Sequence, residues 1–134
     1  MRRKVNPSKA LFSKKVKKVS IDRLRRNADK LLQLHYTPSG TKCIVCGALA
    51  SCCHHFIPKS QSNFLRYDKD NLIPICSRCH TRHHLSGDPA IVATIISVKG
   101  LDWWNKLQKK RLIPCKLNRQ YLESIISDLS FSSA

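Results

Sequence analysis

Two pairs of cysteines constrain this chain more than any other feature of its sequence. Cys43 and Cys46 form the first pair, and Cys76 and Cys79 form the second after an interval of 29 residues. Each pair can present two sulfurs to one ion, and four thiolates are a ligand set of closed tetrahedral zinc sites. The spacing therefore predicts a structural Zn²⁺ that staples two separate stretches of the chain.

The remaining cysteines raise the question of disulfides. Seven cysteines in 134 residues would suit a small secreted domain, but the first ten residues, MRRKVNPSKA, lack the apolar segment of a secretory signal. We therefore expect a reducing, cytoplasmic compartment and metal binding. Cys52, Cys53 and Cys115 are interpreted as small buried hydrophobes or free thiols. Replacement of a zinc ligand by Cys52 or Cys53 is left open.

The positive charge lies mostly at the two ends of the chain. The net charge is +17; residues 1–30 carry twelve Lys and Arg against two Asp, and residues 99–119 carry seven against one. Such segments release condensed counterions when they meet phosphates, so the distribution favours a nucleic acid partner. A solvated charge run or a patch for an anionic membrane is the alternative.

The sequence predicts one small domain with basic ends. Residues 1–19 lack an apolar helical period and are predicted to be a flexible basic arm, and residues 130–134 a frayed tail. Residues 20–129 form the domain, with a metal-binding core at about 41–87 and helices over 88–129. The longest apolar run, residues 90–98, is much shorter than the about 20 residues that cross a bilayer. We therefore expect a soluble protein with no membrane partner.

Helix signals flank the cysteine and histidine cluster. Helices are predicted from Ser20 as N-cap to His35, from Asp88-Pro89 to Lys99 with Gly100 behind it, from Asp102 as N-cap to a point before Pro114, and along Leu117 to Leu129. The apolar residues of the last segment recur at helical spacing, so we expect that helix to pack on the domain.

The histidines between and after the cysteine pairs predict a second site. His80 and His84 are four residues apart in a predicted helix, so they share a face and can bind one ion. His54 and His55 are neighbours in a predicted strand, so their side chains diverge. One imidazole can then bind metal while another deprotonates water, as metal-assisted phosphodiester hydrolysis requires. A single mixed zinc site, with His54 or His80 replacing a cysteine, is the alternative.

Three segments resemble the HNH endonuclease family in order and spacing. They are residues 53–58 (CHHFIP), 71–76 (NLIPIC) and 79–84 (CHTRHH). The resemblance implies an α+β fold, in which a small ββα-metal finger with a four-cysteine zinc staple is embedded in flanking helices. It also implies metal-dependent hydrolysis of DNA to 5'-phosphate and 3'-hydroxyl ends.

Roles for individual residues follow from this resemblance. His54 corresponds to the first metal ligand, His55 to the general base, and Asn71 to the asparagine that pins the loop and orients the base. His80 corresponds to the second ligand, and His84 fills the place of a third ligand found in some branches. The implied cofactors are structural Zn²⁺ and a catalytic divalent ion, for which Mg²⁺, Mn²⁺, Ni²⁺ and Zn²⁺ are open.

A finer similarity covers residues 41–108. Residues 64–71 (FLRYDKDN), Ser86-Gly87 and the helix ending at Gly100 resemble the NinG group of phage recombination nucleases, although His80 stands where that group has Asn. This resemblance implies branched or junction DNA as substrate and, for a phage-encoded protein, the host cytoplasm as location. Monomer and homodimer are both left open.

Four cations near the predicted site are candidate DNA contacts. Arg66 and Lys69 lie in the loop between the predicted strands, and Arg78 and Arg82 lie on the helix that carries the second ligand. Plain surface charge is the alternative for each of them. Nearby, His83 is expected to face solvent.

Trp103 and Trp104 form a pair of neighbouring aromatic residues. Trp103 and Trp104 are expected in the core and at its rim rather than stacked on bases.

A non-catalytic zinc-finger protein that binds DNA as an accessory would use the cysteines and the charge, but it does not need a spare imidazole beside a metal ligand. An RNA-binding or ribosome-associated zinc protein would explain the charge but not the HNH spacing. We therefore expect a nuclease, with the DNA-binding accessory as the alternative.

Overall fold

The computed structural model describes residues 18–131, and within them it contains six α-helices and a two-stranded antiparallel sheet. In chain order the elements are α1 (Ile21–Tyr36), β1 (Cys52–His55), α2 (Asn63–Arg66), a 3-10 turn (Lys69–Asn71), β2 (Leu72–Ile75), α3 (Ser77–Ser86), α4 (Pro89–Lys99), α5 (Leu101–Lys110) and α6 (Arg119–Phe131). The α+β fold with a ββα unit is thus confirmed.

The predicted ends of the chain fall largely beyond this range. Residues 1–17 of the predicted basic arm and residues 132–134 of the predicted tail lie outside the described residues. Helix α6 continues through Phe131, two residues beyond the predicted end of the domain.

The ββα unit is formed by β1, β2 and α3. In the sheet His54 is paired with Ile73 and His55 with Leu72. Because side chains alternate along a strand, the two neighbouring histidines point to opposite faces, as their position in the sequence predicts. Helix α3 follows β2 after a single residue, Cys76, so the second cysteine pair lies at the start of this helix.

Short polar signals set the helix boundaries, and one of them was misinterpreted. Ser20 caps α1 and Asp88 caps α4, as predicted. Asp102 was expected to cap α5, but that helix begins at Leu101 directly after Gly100. Gly100 has a φ of 93°, a backbone conformation that favours glycine. It therefore ends α4 and separates it from α5, which has no side-chain cap. Asp102 lies instead in the first turn of α5.

Helices α1 and α6 pack on each other and cover one side of the ββα unit. Leu24, Ala28 and Leu32 on α1 are buried together with Leu122 and Leu129 on α6. The prediction that the last helix packs its apolar face on the domain is therefore confirmed. Burial of these side chains stabilises the packing of α1 at roughly 25 cal/mol per Å² of apolar surface.

A second apolar cluster lies on the other side of β2. Ile73 and Ile75 from the strand are fully buried against Ile91 and Ile95 from α4. Trp103 on α5 packs against this cluster, and its indole N–H donates to the Asp70 carbonyl at 2.7 Å. Both tryptophans are half-buried, as expected of residues in the core and at its rim. In residues 18–131 no helix has the length and apolar character to cross a membrane.

Candidate metal centres and active site

The four cysteines of the two pairs meet at one point. Their Sγ atoms all lie within 4.8 Å of one another, and those of Cys46 and Cys76 are 3.6 Å apart. A tight turn forms the first pair, in which the Gly47 N–H donates to the Cys43 carbonyl at 2.9 Å. In the second pair Cys76 caps α3 and its Sγ accepts from the Cys79 N–H. We call these four residues the thiol cluster.

The thiol cluster has the dimensions and the chemistry of a structural metal site. Ligands at 2.3 Å in a zinc tetrahedron are about 3.8 Å apart, close to the Cys46–Cys76 separation. Burial raises the pKa of Cys43, but backbone N–H groups outweigh it and lower that pKa to about 7. Burial and the neighbouring sulfurs raise the pKa of Cys79 to about 12, because thiolates repel each other without a cation. Four sulfurs gathered in this way could hold a metal ion.

A second cluster consists of His54, His80 and His84, which we call the imidazole cluster. His54 comes from β1, whereas His80 and His84 lie one turn apart on α3. The ligand nitrogens are within 4.8 Å of one another, so the three side chains could hold a second metal ion. The sequence predicted this set of three. The two clusters share no residue, which argues against a single mixed zinc site.

The imidazole cluster is poised to bind a cation. Burial, followed by the neighbouring imidazoles, lowers the pKa of His54 to about 3. The same causes lower the pKa of His80. These imidazoles are therefore neutral at physiological pH, which is the form that binds metal.

His55 lies on the opposite face of β1 and has one nitrogen engaged. Its Nε2 is 2.8 Å from the Arg66 carbonyl oxygen. A carbonyl can only accept, so Nε2 carries the proton in the neutral ring and Nδ1 keeps its lone pair. Burial lowers the pKa of His55, Lys59 lowers it further, and the bond to the carbonyl opposes both. His55 thus has the protonation state of a general base.

Asn71 holds the loop that supplies this carbonyl. It is fully buried, and its Oδ1 accepts from the Ile57 N–H at 2.7 Å. Its Nδ2 donates to the carbonyls of Ile57 and Leu65 at 2.9 and 3.2 Å. Because Leu65 precedes Arg66, Asn71 fixes the segment whose Arg66 carbonyl is hydrogen-bonded to His55. All these partners are backbone groups, so the Asn71 side chain fixes the backbone of this loop.

The residues of β1 border a cavity of about 520 Å³. The lining includes the imidazole cluster and His55, together with Gln33, Cys52, Lys59 and His83. Lys59 escaped the sequence predictions, although it closely follows the histidine pair. An ammonium group at the edge of such a cavity can bind a phosphate oxygen.

His83 differs from its prediction. It was expected to face solvent, but it is half-buried, and its ring centroid is 4.9 Å from that of His54. His84, the predicted ligand, is the more exposed of the two neighbours. The signal was present in the sequence, since His80 and His83 are three residues apart and such pairs are neighbours on a helix.

The four predicted DNA-contacting cations have different surroundings. Arg66 is largely buried and forms a two-pronged ion pair with Asp29. Arg82 binds Asp88, whereas Lys69 and Arg78 are exposed. A phosphate contact by Arg66 would compete with its carboxylate partner.

The three cysteines outside the pairs do not join the thiol cluster. Cys53 is buried, with its Sγ 3.1 Å from the Tyr36 carbonyl oxygen. Cys52 lies 3.7 Å from His80 Nδ1, and burial raises the pKa of its thiol. Cys115 is half-buried, and its carbonyl accepts from Asn63. Replacement of a thiol-cluster ligand by Cys52 or Cys53 is therefore not observed.

Together these features define a class of protein: a ββα finger with one closed thiol site, one open imidazole site and a spare histidine. The family model of the HNH endonuclease matches residues 43–86, which contain both clusters. Over that segment, about a third of the chain, the sequence is similar to the HNH endonuclease domain. The search of curated proteins and the search of solved structures find no match.

Proposed function

We propose that this protein is a metal-dependent endonuclease that hydrolyses DNA phosphodiester bonds to 5'-phosphate and 3'-hydroxyl ends. The observation that carries the proposal is the pairing of an open three-imidazole cluster with a buried histidine whose Nε2 is engaged by a carbonyl. A protein that only binds DNA has no need for that histidine.

The work of this chain's residues divides between the two faces of β1. His55 accepts a proton from the attacking water at Nδ1, and the Arg66 carbonyl stabilises the protonated ring through Nε2. His54, His80 and His84 would hold a divalent ion, which would supply stabilisation of negative charge on the phosphate and on the leaving oxygen. Three imidazole ligands favour Zn²⁺ or Ni²⁺ over Mg²⁺ or Mn²⁺ at that position.

Substrate binding is assigned to cations around the cavity and at the ends of the chain. Lys59 borders the cavity and contacts the scissile phosphate. Lys69, Arg78 and the basic segments at 1–30 and 99–119 bind flanking phosphates without reading sequence. Arg82 joins them only when it leaves Asp88, whereas Arg66 serves as a positioning residue in place of its predicted DNA contact.

The preference for branched recombination DNA is a finer proposal that rests on the NinG resemblance of residues 64–71 and their surroundings. A phage origin and action in the host cytoplasm belong to the same proposal. A four-way junction and a linear duplex of the same sequence, compared at equal concentration, test it. Equal rates of cutting would remove the preference.

The test of the main proposal compares wild type, His55→Ala and the control His35→Ala, whose histidine lies outside the cavity lining. Supercoiled plasmid is incubated with each protein in EDTA, Mg²⁺, Mn²⁺, Ni²⁺ and Zn²⁺, and binding is measured in parallel. We expect metal-dependent cutting by wild type and by His35→Ala. His55→Ala should lose about 10² to 10⁴ in rate while it still binds DNA.

The outcome also separates the rival function. The thiol cluster and the basic ends equally suit a zinc-finger accessory that binds DNA without cutting it. Tight binding with no cutting in any of the four metals would favour that accessory. Ligation of the nicked product without prior treatment would support 5'-phosphate and 3'-hydroxyl ends.

A further inference from the structure

Helix α1 lies outside the segment that matches the HNH model. Two of its side chains nevertheless bind the groups next to the two histidines of β1, namely the Cys53 backbone and the Arg66 side chain. Asp29 and Gln33 are four residues apart and therefore share one face of the helix. Another face of α1 buries Leu24, Ala28 and Leu32 in the core with α6. The helix is thus anchored on one side while it contacts the candidate site on another.

Gln33 binds the backbone of β1 through its amide. Its Nε2 donates to the Cys53 carbonyl at 2.8 Å, and its Oε1 accepts from the Cys53 N–H at 2.8 Å. A sheet of two strands leaves the outer edge of β1 unpaired, and the amide occupies that edge for one residue, as a third strand would. Cys53 directly precedes His54, so the two bonds fix the depth at which His54 enters the cavity.

Asp29 acts on the other histidine through Arg66. Its Oδ1 and Oδ2 accept from Arg66 Nε and Nη2 at 3.1 and 2.5 Å. Both side chains are mostly buried, with 24% and 14% of their surfaces exposed, so solvent screens the pair little. A fork-to-carboxylate pair fixes orientation as well as distance. The backbone carbonyl of the same Arg66 accepts from His55.

We propose that Asp29 and Gln33 are positioning residues, which set the strand and the carbonyl that hold His54 and His55 in their working geometry. The proposal rests on the function proposed above. It explains why α1 uses polar side chains at this contact although its neighbouring face is apolar. It also gives Arg66 a role that is compatible with its ion pair to Asp29, which is to hold the carbonyl that accepts from His55.

The first test uses the full chain and compares Asp29→Asn and Gln33→Met with Asp22→Asn. Asp22 lies on the same helix in an exposed pair with Arg25, so its variant makes the same change of charge away from the site. We expect kcat to fall at least about tenfold in the first two variants with KM within about twofold. Asp22→Asn should match wild type. Wild-type kcat in folded Asp29→Asn and Gln33→Met would overturn the proposal.

The second test does not depend on cleavage. In ¹H–¹⁵N spectra the Nε2 proton of His55 should exchange slowly in wild type and in Asp22→Asn, and rapidly in Asp29→Asn. Gln33→Met should weaken Co²⁺ binding by the imidazole cluster about tenfold, which visible absorption reports. If wild type cuts no DNA, the proposed function fails, whereas these readouts still decide on the positioning roles. Wild-type exchange and wild-type Co²⁺ affinity would refute them.

Two replacement variants cover failure to fold. Arg66→Lys keeps a charged contact with Asp29 but loses the fork, so it can replace Asp29→Asn. Gln33→Glu keeps an acceptor for the Cys53 N–H but loses the donor, so it can replace Gln33→Met. Each is judged by the same fall in kcat and the same spectra as the variant that it replaces.

Discussion

The thiol cluster and the imidazole cluster use the same helix but differ in their access to solvent. Helix α3 supplies Cys79 to the first and the adjacent His80 to the second. Three of the four cysteines are buried, whereas the histidines range from buried to exposed and border a cavity of about 520 Å³. A closed four-ligand site is typical of structural zinc, and three protein ligands with an open position are typical of catalytic sites.

The contrast teaches how one short element can serve both stability and chemistry. Neighbouring positions on a helix point about 100° apart, so Cys79 faces the other cysteines of the thiol cluster while His80 faces His54 of β1. A metal in the thiol cluster would fix the helix that carries two of the three imidazoles. Substitution of a cysteine in the thiol cluster should therefore unfold the protein. Substitution of a histidine in the imidazole cluster should lower turnover and leave the fold intact.

The largest expected effect comes from Cys79→Ser. Structural zinc contributes about 10–16 kcal/mol of apparent binding free energy in zinc-finger peptides, which is comparable to the whole stability of a small domain. We expect the variant to lose its cooperative thermal transition and its tightly bound zinc, measured by circular dichroism and by metal analysis.

Cys115→Ser is the matched control, because Cys115 takes no part in either cluster. It should keep the Tm and the zinc content of wild type. A folded Cys79→Ser protein with an unchanged Tm would contradict a structural role for the thiol cluster.

His84→Ala should break the other half of the comparison. His84 is exposed, so its loss creates no cavity, and the Tm should stay at the wild-type value. Substitution of a residue that only orients a metal ligand lowers activity or metal affinity about 10–100-fold. Loss of the ligand itself should therefore lower kcat at least about 100-fold. Plasmid cleavage and calorimetry on the same sample measure both quantities. A fall in Tm similar to that of Cys79→Ser would remove the distinction between the clusters.

The sequence predicts local features of this molecule well. The cysteine pairs, the cap residues Ser20 and Asp88 and the divergence of two neighbouring histidines depend on residues close in the chain, and each is present. Spacing also placed His80 and His84 on one helix face, and the family resemblance added His54 to them. The family resemblance extended these predictions to the fold of the ββα unit.

Contacts between distant residues were beyond such patterns. Asp29 and Arg66 are 37 residues apart, and Lys110 binds Asp68 and Asp70 from 42 and 40 positions away. Its charge and its place in the loop between the predicted strands suggested Arg66 as a DNA contact. The carboxylates near it along the chain, Asp68 and Asp70, bind Lys110 instead. Only packing of α1 against the loop brings Asp29 to Arg66.

The pH dependence of cleavage sharpens the role of His55. The base works when its imidazole is neutral, and burial lowers its pKa, so the neutral fraction persists below the ordinary value of about 6.5. An unperturbed imidazole would be about 90% protonated at about pH 5.5, a loss of about tenfold in rate. We expect a smaller loss in single-turnover cleavage at saturating metal. A rate that halves already near the ordinary pKa of about 6.5 would contradict the effect of burial.

His83→Ala carries the smallest expected effect and tests which histidines form the open cluster. His83 lies as close to His54 as the predicted ligands do when ring centroids are compared, at 4.9 Å against 5.2 Å for both His80 and His84. Its nitrogens nevertheless stand outside the set whose ligand atoms converge. We therefore expect unchanged metal stoichiometry and a kcat within about threefold of wild type, a difference of less than about 1 kcal/mol in the barrier. If His83→Ala instead matches the loss in His84→Ala, helix α3 presents its ligands at a spacing of three rather than four residues, and the half-buried neighbour is the third ligand.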